Sequence, residues 1–187
     1  NASPKYHSNG NVVSVSGATG TVYYRIGTSG DFSTTIPKAT SSLNAGTYTL
    51  QYYVAASSDG NYTEFGNSSS PKSLDISISQ NNDASVSVTL ASSAGTYHNE
   101  ATLVAKGNSS SHGASAASIG YRLGAATADN QITWVSVGAE LSLPASAVPG
   151  TYYIYKKWTA DSNHSNSSGY TLVGQLSRSQ ATDASVS

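Results

Sequence analysis

Apolar residues along this 187-residue chain fall in short runs that alternate with polar ones at every second position. Val22, Tyr24 and Ile26 form one such set, and Tyr48, Leu50, Tyr52 and Val54 form another. Leu74, Ile76 and Ile78 alternate with Ser73, Asp75 and Ser77. A period of two places alternate side chains on one face of a pleated strand, so these runs predict half-buried β-strands. The strands expected cover residues 12–16, 21–26, 47–55 and 74–79, then 84–90, 101–106, 118–123, 132–137, 151–160 and 170–176. Clusters of Gly, Pro, Asn and Ser separate them, which is turn chemistry. No long stretch carries a 3.6-residue period, and Glu occurs three times and Met never. An all-β fold follows, with six or seven short strands per hundred residues, the spacing of an immunoglobulin-like antiparallel sandwich.

The pattern occurs twice. Ser79-Gln80-Asn81-Asn82-Asp83-Ala84-Ser85-Val86-Ser87 matches the segment from Ser179 to Ser187 at seven of nine positions. Tyr6-His7 matches Tyr97-His98, and Tyr24-Arg25-Ile26-Gly27 matches Tyr121-Arg122-Leu123-Gly124. Gly46-Thr47-Tyr48 matches Gly150-Thr151-Tyr152, and Asp59-Gly60-Asn61-Tyr62 matches Asp161-Ser162-Asn163-His164. The offsets vary between 91 and 104, as one fold carrying loops of different length requires. Two tandem sandwich domains are expected, over 1–80 and 81–180. Asp83, just ahead of the strand that opens the second repeat, lies 14 positions before Tyr97; the same distance before Tyr6 falls ahead of residue 1. The first domain is thus expected to lack its opening strand within this chain. Residues 181–187 are expected to begin a further repeat or to be a donated strand, through Asp183, Ala184, Ser185, Val186 and Ser187.

Composition narrows the chemistry. The formal net charge is −1 and only 10% of residues are charged. That leaves no electrostatic footprint for nucleic acid. With no Cys there is no disulfide framework, thiolate nucleophile or Cys-based metal site. No apolar run reaches the roughly 20 residues of a membrane span. The surface is carried instead by 36 Ser and 18 Thr, with 13 Tyr against 2 Phe and 2 Trp.

The text Asn44-Ala45-Gly46-Thr47-Tyr48-Thr49-Leu50-Gln51-Tyr52-Tyr53-Val54, preceded by Thr21-Val22-Tyr23-Tyr24 and Thr35-Ile36-Pro37-Lys38-Ala39, resembles bacterial Ig-like tandem repeats. Such repeats occur in large cell-surface and secreted proteins, adhesins among them, especially of anaerobic Gram-positive bacteria. The resemblance spans most of the first repeat; the second has Pro149-Gly150-Thr151-Tyr152 and a longer segment between Gly124 and Pro149. It implies architecture and an extracellular, cell-surface location, and no catalytic residue. The expected role is a non-enzymatic structural unit of a stalk, fibre or adhesin. Its partners would be copies of itself or neighbouring repeats, with head-to-tail strand complementation as one mode of assembly.

Candidate sites are few. His7 and His98 occupy matching places beside Tyr, which favours a turn or strand-edge role; His112 and His164 add no ligand spacing, so no metal or other cofactor is expected. The pairs Asp59/Asn61 and Asp161/Asn163 suggest calcium, but a calcium loop needs more oxygen ligands, and Asx turns account for the same text. Glu64, Glu100 and Glu140 carry no glycosidase signature, and neither a nucleophile elbow nor a phosphate loop is present. The alternative function is a carbohydrate-binding module pair, with cell-surface glycans stacking on Trp134, Tyr153 and Tyr155; alternation leaves the two tyrosines facing outward, unless the aromatics simply fill the core. Six N-x-S/T sequons mark candidate glycosylation sites, at Asn1, Asn61, Asn67, Asn108, Asn163 and Asn166.

Overall fold

The structure, a computed structural model, describes residues 3–166 and 168–182. The fold is all-β and built of antiparallel sheets; among the described residues the one helical element is a 3₁₀ turn at Asp129–Gln131. No helix is long and apolar enough to cross a membrane. The chain divides into two compact units, Asn1–Asn81 and Asn82–Ser187.

Unit 1 centres on β1 (Val22–Ile26), β2 (Gly46–Val54) and β3 (Lys72–Ile78), in the order β1-β2-β3. Tyr24 stands opposite Tyr52, and Leu50 opposite Leu74. One face of this sheet buries Tyr24, Leu50, Ile76 and Ile78 against Val12 and Ala39 of the covering layer. That layer is reduced to the bridge Asn11↔Lys38 and its flanking hydrogen bonds. The strand expected at 12–16 does not form. Val12 is fully buried and donates to the Pro37 carbonyl, but residues 13–16 make no backbone hydrogen bond to any described residue. Alternation identifies residues able to pair, and among the described residues they have no ladder partner.

Unit 2 contains β4 (Ser85–Ser87), β5 (Ala101–Val104), β6 (Ser109–Ser111) and β7 (Ala114–Leu123). It continues with β8 (Thr133–Ser136), β9 (Leu141–Leu143), β10 (Gly150–Ala160) and β11 (Ser168–Arg178). The main sheet runs β11-β10-β7-β8, and the smaller pairs are β5-β9 and β4-β6. Its core collects Val86, Leu103, Ile119, Leu141, Leu143 and Ile154, each no more than 1% exposed. Of the strand expected at 84–90, only the three residues of β4 are strand, with Leu90 bridging Val104. The sequence pattern does not announce β6 or β9: Ser109-Ser110-Ser111 has no apolar alternation, and Leu141-Ser142-Leu143 alternates over only three residues.

Several of the internal matches have a structural cause. Gly46 and Gly150 open β2 and β10 at φ 150° and 145°, a region that an L side chain rarely adopts. Two residues later, Tyr48 donates its hydroxyl to the Asn44 carbonyl at 2.9 Å, and Tyr152 to the Val148 carbonyl at 2.8 Å. This is the geometry of a tyrosine corner, in which the hydroxyl returns to the backbone a few residues upstream. His7 and His98 both lie at positive φ, 59° and 71°, in turns closed by matching hydrogen bonds from Tyr6 to Ser79 and from Tyr97 to Ser179. One match is displaced: Tyr24 pairs with Tyr52, whereas Tyr121 pairs with Ile154, the counterpart of Leu50. The slip is two residues, so the apolar face is preserved.

The units differ at the end of the third main strand. Ile78 in β3 is replaced at the matching register by Arg178 in β11, and both are buried. Arg178 donates to the carbonyls of Ala94, Ala147 and Asn99 at 2.8–2.9 Å, tying three loops together. Removing the guanidinium strands these inward-turned acceptors, so Arg178→Ala should lower unfolding free energy by about 2–4 kcal/mol. Chemical denaturation is the check; an unchanged midpoint would show that the loops close without it.

Candidate functional site

The most developed concave surface in unit 1 is an apolar groove of about 460 Å³. Its floor is Tyr24, Tyr52, Val54 and Leu74 from the three strands, and residues 13–19 form one wall. Tyr62 and Phe65 form the other, and they are 57% and 53% exposed; Val15 is 42% exposed. Large apolar side chains exposed together in a groove mark a place built to be covered.

Unit 2 shows what covers the matching position. Counting from paired registers, Tyr24 and Tyr52 correspond to Ile119 and Lys156. Over these residues lies β4: Val86 is 1% exposed within the core that includes Ile119, and Lys156 Nζ donates to the Val86 carbonyl at 2.9 Å. β4 pairs in turn with β6, with Ser85 opposite Ser111 and Ser87 opposite Ser109. The unpaired residues 14–16 of unit 1 occupy the place of β6, each followed by a turn at positive φ, Gly17 in one unit and His112-Gly113 in the other.

The loop after the long strand anchors β4 in unit 2. His164 is 6% exposed; its Nδ1 lies 2.6 Å from Asp161 Oδ1 and its Nε2 lies 3.2 Å from Asp83 Oδ1. Asn166 Nδ2 donates to the Ala84 carbonyl. The His164 hydrogen bond holds the Asp161 carboxyl below its ordinary value. In unit 1 the counterpart of His164 is Tyr62, exposed at the rim of the groove.

Asp59 and Asp161 are turn residues. Each accepts the backbone N–H two residues on, Asn61 at 3.0 Å and Asn163 at 2.9 Å, in Asx-turn geometry. Among the described residues no three His, Cys, Asp or Glu side chains are grouped to hold a metal. Glu140 accepts from Ser142 and Thr102, which hold its carboxyl below the usual range, the direction opposite to a general acid.

The aromatic platform expected in the second repeat is not assembled as an open surface. Tyr155 is buried, 4% exposed, yet it stands apart from the core that holds Tyr152 and Ile154. The segment after Gly124 folds over it: the Ala126 N–H donates to the Tyr155 hydroxyl at 2.7 Å, and Tyr170 packs edge-on. Trp134 is half-buried beneath Lys157, whose Nζ lies 4.3 Å from the ring centroid and is held there by Asp129 at 2.9 Å. Tyr153 is half-buried. Alternation alone missed this because the covering loop follows β7 in a stretch with no apolar pattern. Unit 1 has an aromatic cluster that sequence reading also missed: Tyr23 stacks on Tyr53 at 4.7 Å, Phe32 meets Tyr53 edge-on and Arg25 lies over Phe32.

Of the candidate sequons, Asn61 is exposed in its turn, and Asn67 caps the Ser69 and Ser70 N–H groups. Asn163 is half-buried in the second Asx turn. Asn108 and Asn166 spend their amide N–H groups on backbone carbonyls, at Ala139 and Ala84. Asn1 lies outside the described residues, as do Asp183, Ala184, Ser185, Val186 and Ser187. No family model, curated protein or solved structure matches this chain.

Two outcomes follow. Tyr155→Ala should lower stability by about 3–5 kcal/mol in denaturant titration, as for a buried aromatic, whereas Tyr153→Ala should cost less. Equal, negligible costs would return Tyr155 to the surface. Ser57 and Asn61 hydrogen bonds hold the Asp59 carboxyl at about 2, below the ordinary carboxylate range. A carboxyl depressed in the folded state stabilises it above the unfolded pKa and ceases to do so as pH falls through the folded one. The 57–62 turn should therefore loosen only as pH drops from about 4 toward 2. Carboxyl NMR titration reads this directly, and an Asp59 midpoint near 4 would contradict it.

Proposed function

We propose that this chain is a non-enzymatic structural repeat unit of an extracellular stalk, fibre or adhesin, working by length and stiffness rather than by chemistry. The observation that carries the reading is that the repeat extends to individual interactions. The tyrosine hydroxyl, the opening glycine, the positive-φ histidine and the Asx turn recur in both units. Scaffolding that recurs unit by unit suits a quasi-one-dimensional repeat array. The resemblance of residues 21–54 to bacterial Ig-like repeats supports the same reading, with a cell-surface location as part of the proposal. A low-charge, hydroxyl-rich exterior suits a shaft that must stay soluble beside its own copies. Its partners on this reading are neighbouring repeats or copies of itself.

Immunogold electron microscopy with antibodies to residues 1–187 tests the proposal on cells that make the protein. Labelling along surface projections is expected. Labelling confined to the cytoplasm would end it.

A further inference from the structure

The groove of unit 1 and the strand that fills its counterpart in unit 2 together identify an occupant. This step rests on the structural-repeat reading and deepens it. We infer that the groove accepts Asp183, Ala184, Ser185, Val186 and Ser187 of a second copy of the chain, added as a short strand against residues 14–16.

Three observations converge. First, the strand that covers this face in unit 2 has the sequence Asp83-Ala84-Ser85-Val86-Ser87, and the same five residues recur at 183–187. The recurring pattern is the useful one: Ala84 and Val86 are each 1% exposed and point inward, whereas Ser85 and Ser87 are exposed. Second, the edge is ready. Residues 14–16 stand where β6 pairs with β4, and make no backbone hydrogen bond to any described residue. An unpaired edge beside an apolar groove is the geometry of strand addition, in which main-chain bonds give affinity and alternate side chains fill pockets. Third, the groove needs only the part of the covering segment that corresponds to β4. In unit 2 the covering segment continues to Leu90, whose Cδ1 lies where a side chain on Gly174 would be, 2.7 Å from its ideal Cβ. The counterpart of Gly174 is Leu74, which fills that end of the groove itself. The occupant therefore needs no counterpart of Leu90 at that end.

The register follows from unit 2. Ser185 stands opposite Ser16, Val186 opposite Val15 and Ser187 opposite Ser14, with Val186 directed onto Tyr24 and Tyr52. Tyr52 offers a phenolic O–H where Lys156 offers its ammonium to the Val86 carbonyl. Donor and acceptor are different surfaces of one chain, so the contact is heterologous and propagates head to tail.

The chain has no cysteine, which makes a clean test available. Ser85 Oγ and Ser111 Oγ lie 2.9 Å apart, so the matching pair, Ser185 and Ser16, should be within disulfide reach. S16C and S185C are made as separate variants, mixed and mildly oxidised, with S41C plus S185C as the exposed control. A reducible heterodimer is expected at about tenfold the control yield, and Val186→Asp on the S185C chain should return it to the control level. Equal yields in the two mixtures would overturn the assignment. In the double variant S16C/S185C a ladder of linked multimers is expected; a cross-linked monomer would overturn the second copy as occupant, giving the groove to the chain's own tail. A missing cross-link alongside surface labelling removes the groove assignment alone. Absent surface labelling removes the reading beneath it.

Discussion

Each unit is organised by the need to cover the apolar face of a central antiparallel strand pair, β1-β2 in one and β7-β10 in the other. A sheet with one apolar face gains nothing until a second layer excludes water from it, and the strands of that layer must satisfy their own backbone groups as they do so. Unit 2 meets both demands with β4, β5, β6 and β9: Val86, Leu103, Leu141 and Leu143 cover Ile119 and Ile154, and the paired strands bond to one another. Unit 1 meets them in part. Val12 and Ala39 are fully buried on its sheet, but beyond them the face opens into the groove over Tyr24, Tyr52 and Val54.

The polar interactions are mostly fasteners for this layering. Arg178 gathers three loop carbonyls at one end of unit 2, and the Asp161–His164–Asp83 chain pins the start of β4 at another. In both, a buried cationic or imidazole side chain links segments far apart in the chain. The tyrosine corners do similar work, each bringing a hydroxyl back to the carbonyl four residues upstream and fixing the entry to the long strand.

The outward faces show why aromatic residues in a β-protein are a poor guide to ligand binding. Tyr23, Tyr53 and Phe32 cover one another, with Arg25 across the edge of the group. Trp134 is capped by Lys157, and Tyr155 lies beneath the segment that follows Gly124. In each case the apolar ring has found a neighbour within the unit. A ring left for a sugar would have to forgo that burial.

Periodicity determined the long strands, because a half-buried strand must alternate and β1, β2, β3, β7, β10 and β11 do so. The internal matches were legible for the same reason: Gly46 and Gly150 occupy a backbone region closed to other residues, and the tyrosine corner permits little substitution. The all-serine strand β6 was invisible, since its identity lies in its partner and not in its side chains. The unpaired state of residues 13–16 was equally hidden, because a sequence records the capacity to pair while the ladder records whether a partner is there. Tyr155 is covered by a loop with no apolar signature of its own, and the groove in unit 1 exists only as a relation among three strands and two loops. Local pattern fixes which face of a strand is apolar; only the assembled layers decide what lies against it.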